Sequence, residues 1–169
     1  MTVIESVYIA TTIPSKCNKE YLLIGLDGQN YNFEQINTLQ FKLTAYNNEI
    51  ISVYQPSKYA CSFRLMTKAQ STQNLEFYSK LISSGYNIKG QYINSYNKIN
   101  WSWKKSRKSE GDSFKLIDKN NNNRIIASVS GLSLDGQESG MICIARDLPT
   151  DLVETVLVMG CLIWRIKDF

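Results

Sequence analysis

A chain of 169 residues with 43% hydrophobic and 20% charged side chains has the size and composition of one globular domain with a substantial core. Nineteen basic against 15 acidic residues leave a net charge of +4, too balanced for a general nucleic-acid coat, so an electrostatic partner would be met by a local patch. The absence of histidine removes the Ser-His-Asp and Cys-His routes to catalysis, and Cys17, Cys61, Cys143 and Cys161 are spaced too irregularly for a zinc set or a disulfide framework.

A non-enzymatic chain with no metal or cofactor is therefore expected. Its four cysteines should be free and reduced, with Cys143 and Cys161 buried. The amino-terminal stretch lacks a basic region and carries Glu5 where a signal peptide would be apolar, so the expected address is intracellular, either cytoplasmic or peripheral to a membrane. "GLDGQN" from Gly25 to Asn30 has turn composition, without the lysine or spacing of a phosphate-binding loop, and Asp27 and Asp135 each precede glycine as turn residues do.

The first clear hairpin signal follows. Leu39, Phe41, Leu43 and Ala45 alternate with Gln40, Lys42 and Thr44, a turn is expected at Asn47-Asn48, and Ile51 and Val53 resume the period of two. "YACSFRLM", "NLEFYSKLI", "YNIKGQYI" and "INWSWKK" are further strand candidates rich in aromatic and β-branched residues. Leu75, Tyr78, Leu81 and Ile82 lie at near-helical spacing, but the segment is read as strand. Asn100-Trp101-Ser102 fits a glycosylation sequon, which has no meaning without secretion.

From Lys98 to Arg124 the chain carries eight basic and three acidic residues, so this segment holds +5 and the remainder is close to neutral. Lys104, Lys105, Arg107 and Lys108 form its centre, with Trp101 and Trp103 just before them. Two readings stand. The lysines and arginine could contact an anionic phospholipid surface with the tryptophans at headgroup level. Alternatively the charges belong to a solvated hairpin loop and the tryptophans, sharing one strand face, turn into the core. Stacking of single-stranded nucleic acid on the many tyrosines and tryptophans is a weaker possibility, and a protein-binding adaptor is a third class.

A second hairpin places Phe114 and Leu116 before a turn at Lys119 to Asn123, with Ile125, Ala127 and Val129 returning, and "GMICIA" adds a last strand. The chain then closes on a helix spanning 148–169. Thr150 is expected as its N-cap, Asp151 and Glu154 place negative charge in the first turn, and Arg165 and Lys167 lie in the last. Between them Thr155 to Trp164 are ten uncharged residues, apolar on every side of the helix. Spanning a bilayer takes about 20 apolar residues, so this helix is expected inside the protein rather than across a membrane. Only the chain's own strands can surround it. A mainly β fold follows, a closed antiparallel barrel of about 10–12 strands wrapped around the buried C-terminal helix, as one domain over residues 1–169. Gly160, costly in mid-helix, should mark a close approach by a strand or a large side chain.

The order Trp103-Lys104, Phe114 with Leu116, Ile126-Ala127, Ile142 to Ala145, Leu148-Pro149 and a helix from Asp151 resembles the tubby C-terminal-like fold of tubby proteins, LURP-one proteins and phospholipid scramblases, most closely its small fungal members. The resemblance covers about residues 99–169. It implies a barrel around an axial helix and points toward phosphoinositide or anionic-lipid binding by the basic segment.

Overall fold

The computed structural model describes residues 5–14, 19–55, 62–67, 75–79, 85–91, 98–105, 113–131 and 139–167. These form twelve strands and one helix: β1 (Glu5–Pro14), β2 (Lys19–Gly25), β3 (Asn30–Asn37), β4 (Gln40–Ala45), β5 (Asn48–Tyr54), β6 (Ser62–Thr67), β7 (Leu75–Ser79), β8 (Gly85–Gln91), β9 (Lys98–Lys105), β10 (Ser113–Asp118), β11 (Arg124–Gly131), β12 (Ser139–Ala145) and α1 (Thr150–Lys167). The protein is thus mainly β, one large antiparallel sheet with a single C-terminal helix packed on it. Each strand pairs with its sequence neighbours, and β1 pairs both with β2, Ile9 opposite Ile24, and with β12, Ile9 opposite Met141.

Alternation sets the two faces of the sheet. Phe41 and Leu43 on β4, Trp101 and Trp103 on β9, Phe114 and Leu116 on β10 and Ile142 and Ile144 on β12 are all buried, while Gln40, Lys104, Lys115 and Met141 are exposed. The buried set faces α1. Residues Val156 to Met159 and Cys161 to Trp164 have no exposed surface, which is how a helix apolar all round is accommodated. The Trp164 ring lies 5.7 Å from that of Tyr21, in an aromatic series that continues through Phe33 and Phe41. At the helix's far end the Arg165 guanidinium stands 4.8 Å above the Phe41 ring and donates to Gln35 Oε1. That contact lets the first charge after the apolar run leave the core while staying satisfied.

Gly160 has the role expected of it. A Cβ there would lie 2.7 Å from Ile142 Cδ1 and 3.3 Å from its Cγ1, so α1 approaches β12 so closely that any larger residue would force the Ile142 side chain to shift. The helix start differs by one residue from expectation. The Val153 amide donates to the Pro149 carbonyl, which makes Pro149 the capping position and puts Thr150 in the first turn. Arg146 and Asp147 form the turn between β12 and the helix, closed by the Leu148 amide donating to the Ala145 carbonyl.

The turns follow local chemistry with one shift. Ala45 pairs with Asn48, so the two-residue loop is Tyr46-Asn47 rather than Asn47-Asn48, with positive φ at both central residues (51° and 63°) as a primed hairpin turn requires. The β10–β11 turn matches expectation, with Asn122 and Asn123 in the left-handed region. So does Gly25–Asn30, where Gly28 has φ 91° and Asp27 Oδ1 accepts from the Gln29 amide at 3.2 Å. Of the segment with helix-like spacing, Leu75 and Tyr78 lie in strand β7, and Leu81 and Ile82 lie outside the described residues. Asp135 lies outside the described residues.

Candidate functional site

Strand β9 separates the aromatic and basic parts of its sequence. Trp101 is 4% exposed and Trp103 not at all, both on the face toward α1. A buried indole cannot sit at the headgroup level of a membrane. Trp101 and Trp103 are therefore corrected from candidate lipid contacts to core residues, the alternative that the shared strand face had left open. Lys104 and Lys105, at the end of the strand, are exposed. Arg107 and Lys108 lie outside the described residues.

The register adds a residue that spacing along the chain did not single out. Lys104 pairs directly with Lys115 of β10, and Lys115 is also exposed. Directly opposed residues in an antiparallel pair point to the same face, so two ammonium groups share the outer surface of the sheet, an arrangement that costs a few tenths of a kcal/mol or more. Neither forms an ion pair with another described residue. Lys105 pairs with buried Phe114 and so stands on the inner-facing parity, reaching solvent only because the strand ends there. On the outer parity of this strand Asn100 is half-buried, Ser102 completely buried and Lys104 exposed.

The helix N-terminus carries a second polar group. Tyr31 donates from its hydroxyl to Gln29 Oε1 at 2.8 Å. Burial, reinforced by the negative charge of Glu154 in the first turn of α1, holds its phenol well above the ordinary value. Tyr8, whose ring lies 6.1 Å from that of Tyr31, is raised in the same way by burial and by Asp27. Both phenols therefore stay protonated at neutral pH, and that of Tyr31 serves as a donor. On the outer side nearby, the exposed ion pair Arg124–Asp147 ties the start of β11 to the turn before α1.

Among the described residues no group of three or more acidic or cysteine side chains is placed to hold a metal ion. Neither Cys143 nor Cys161 is in a disulfide. Cys161 is buried as expected, and burial pushes its thiol well above the ordinary value. Cys143 is only half-buried, a correction to its expected burial: it alternates with Ile142 and Ile144 and so points to the outer face. Cys17 and Cys61 lie outside the described residues. No described helix is long and apolar enough to cross a membrane. Compared with family models, curated proteins and solved structures, the chain finds no match.

Proposed function

We propose that this protein is a non-catalytic binding module that makes a peripheral contact with anionic phospholipid, phosphoinositide included, through the basic end of β9. The observation that carries this reading is the outward pairing of Lys104 with Lys115, beside exposed Lys105 and followed in sequence by Arg107 and Lys108. Like charges set opposite one another oppose folding slightly, so a negative surface outside the molecule is what would make the arrangement favourable. We further take the sheet to be a closed barrel around α1, supported by the pairing of β1 with both β2 and β12, and the tubby C-terminal-like resemblance to extend to the whole fold. An intracellular, cytoplasmic or membrane-peripheral setting fits this role. Single-stranded nucleic acid is a poorer fit, because Tyr8, Tyr21, Tyr31, Tyr86, Trp101, Trp103 and Trp164 are buried and offer no stacking platform. A protein-binding adaptor is the second reading, favoured by the apolar outer surface of β2, β1 and β12.

Each lysine near an anionic surface contributes about 1 kcal/mol, so changing Lys104, Lys105 and Lys115 to Ser should weaken cosedimentation with phosphoinositide-containing vesicles by about a hundredfold at low salt. Raising ionic strength from about 0.1 M to 1 M shortens the screening length from about 10 Å to 3 Å and should have a comparable effect. Equal sedimentation of wild type and triple variant would reject the lipid contact and leave the adaptor reading.

A further inference from the structure

The outer face of β2, β1 and β12 departs from the apolar-in, polar-out alternation of β9 and β10. Ile9 at its centre is 41% exposed, Ile24 opposite it on β2 42%, and Met141 opposite it on β12 43%. Leu26, just past the end of β2, is 72% exposed, and its amide donates to the Val7 carbonyl. These side chains form one row across three strands with a protruding apolar residue at one end, and no charged residue interrupts it. A contiguous patch of this kind, on the order of 400 Å², reaches the size at which surface apolar area marks an interaction site.

The charges at the border of the patch identify the occupant. Beyond Leu26, a hollow is lined by Ser6, Val7, Leu26, Asp27 and Arg146. Asp27 follows β2 and Arg146 follows β12, so opposite charges stand on either side of β1 at the same end. Ile24 and Met141 likewise flank Ile9 on either side, each about one strand spacing of 4.8 Å away. A two-fold axis running along β1 in the plane of contact carries the β2 side of one molecule onto the β12 side of the other. Ile9 then meets Ile9, Ile24 meets Met141, and Asp27 of each copy meets Arg146 of the other.

We propose that this wall is the contact surface of a two-fold homodimer. Self-complementarity in both shape row and charge is what an isologous interface requires, since every contact must occur twice. With about 400–500 Å² from each copy, the total is near the 1,000 Å² lower bound of specific interfaces, so the association is weak and reversible.

Sedimentation velocity of the full chain over micromolar to high-micromolar concentrations should show a monomer–dimer equilibrium. Ile9→Lys should weaken it at least tenfold, with circular dichroism confirming the fold, and Met141→Lys serves the same purpose should the first variant misfold. Asp27→Arg and Arg146→Asp should each weaken dimerisation several-fold by opposing like charges, and the double reversal should return it to near the wild-type value. That recovery distinguishes a contact between copies from damage to the turn. A wild type that stays monomeric throughout, or a double reversal as weak as either single variant, would overturn the proposal. Monomer that instead partitions onto neutral phosphatidylcholine vesicles in an Ile9-dependent way would likewise overturn it and assign the wall to lipid.

Discussion

Toward α1, the β9–β10 wall and the β12–β1–β2 wall are built alike: Trp103, Phe114 and Leu116 on one, and Ala10, Leu23, Ile142 and Ile144 on the other, have no exposed surface. Toward solvent they differ completely. The first presents Lys104 opposite Lys115, the second Ile24, Ile9 and Met141 in one row. The common inner chemistry is what folding demands, since the strands that pack on α1 must cover a helix that is apolar in all directions. The outer positions answer to no such demand, and it is there that the two walls diverge.

The largest effect should come from charging the shared interior. Val158 has no exposed surface, and Val158→Asp should remove about 4 kcal/mol or more, enough to abolish a cooperative denaturation transition. Next, the two walls should respond equally when inner residues are truncated. Leu116→Ala and Ile144→Ala should each lower stability by about 2–5 kcal/mol in urea titrations, and a wall whose variant costs less than about 1 kcal/mol would not belong to the common core.

Gly160→Ala pits about 1 kcal/mol of helix propensity gained against roughly 1–3 kcal/mol of overpacking on Ile142, so a net loss of about 0–2 kcal/mol is expected. Ile142→Val removes the Cδ1 atom in the way, and the double variant should be more stable than the sum of the singles by at least about 0.5 kcal/mol. The smallest effect belongs to the outer surface. Arg124 holds the Asp147 carboxyl below its ordinary value of 3.8. A lowered folded-state value means the contribution is complete above 3.8 and fades as pH falls below it. Because the pair is exposed, Asp147→Asn should change stability at pH 7 by no more than about 0.5 kcal/mol, and the difference should vanish in acid.

How much of this was legible in the chain depends on which face carries contrast. β4 and β10 alternate apolar and polar residues, and the helix is marked by its length and flanking charges, so the places of both hairpins and the buried terminus could be read directly; on β11, however, Ile125, expected on the face of Ala127 and Val129, is 50% exposed and Ile126 is buried instead, because the β10–β11 register shifts between Leu116 and Ile117. Val7 and Ile9 on β1, and Leu22 and Ile24 on β2, put apolar residues on the outer positions as well, which blurs the period of two and kept both strands out of the segments singled out from the sequence. The same lack of contrast in "GMICIA" made Cys143 look like a core residue. Tyr46 in a left-handed turn position ran against local preference, since asparagine was available next to it, and so the turn was expected one residue late.

For the basic site, the alternation of Trp101 and Trp103 with Ser102 and Lys104 already contained the division between core and surface, and the structure resolves it in favour of core for both tryptophans. Lys115 as the partner of Lys104 was not readable, because pairing register depends on where the connecting segment lets β10 return. The same holds for the Ile24–Ile9–Met141 row, which brings together residues from both ends of the chain.

The claim that α1 and both walls are one cooperative core is tested most directly by native-state hydrogen exchange on the full chain. The amides of Val156 to Trp164 should exchange only through global unfolding, with the same free energy and denaturant dependence as those of Leu116 on β10 and Ile142 on β12. Exchange of the helix amides through a lower-energy opening, while the strands of either wall keep their protection, would contradict it.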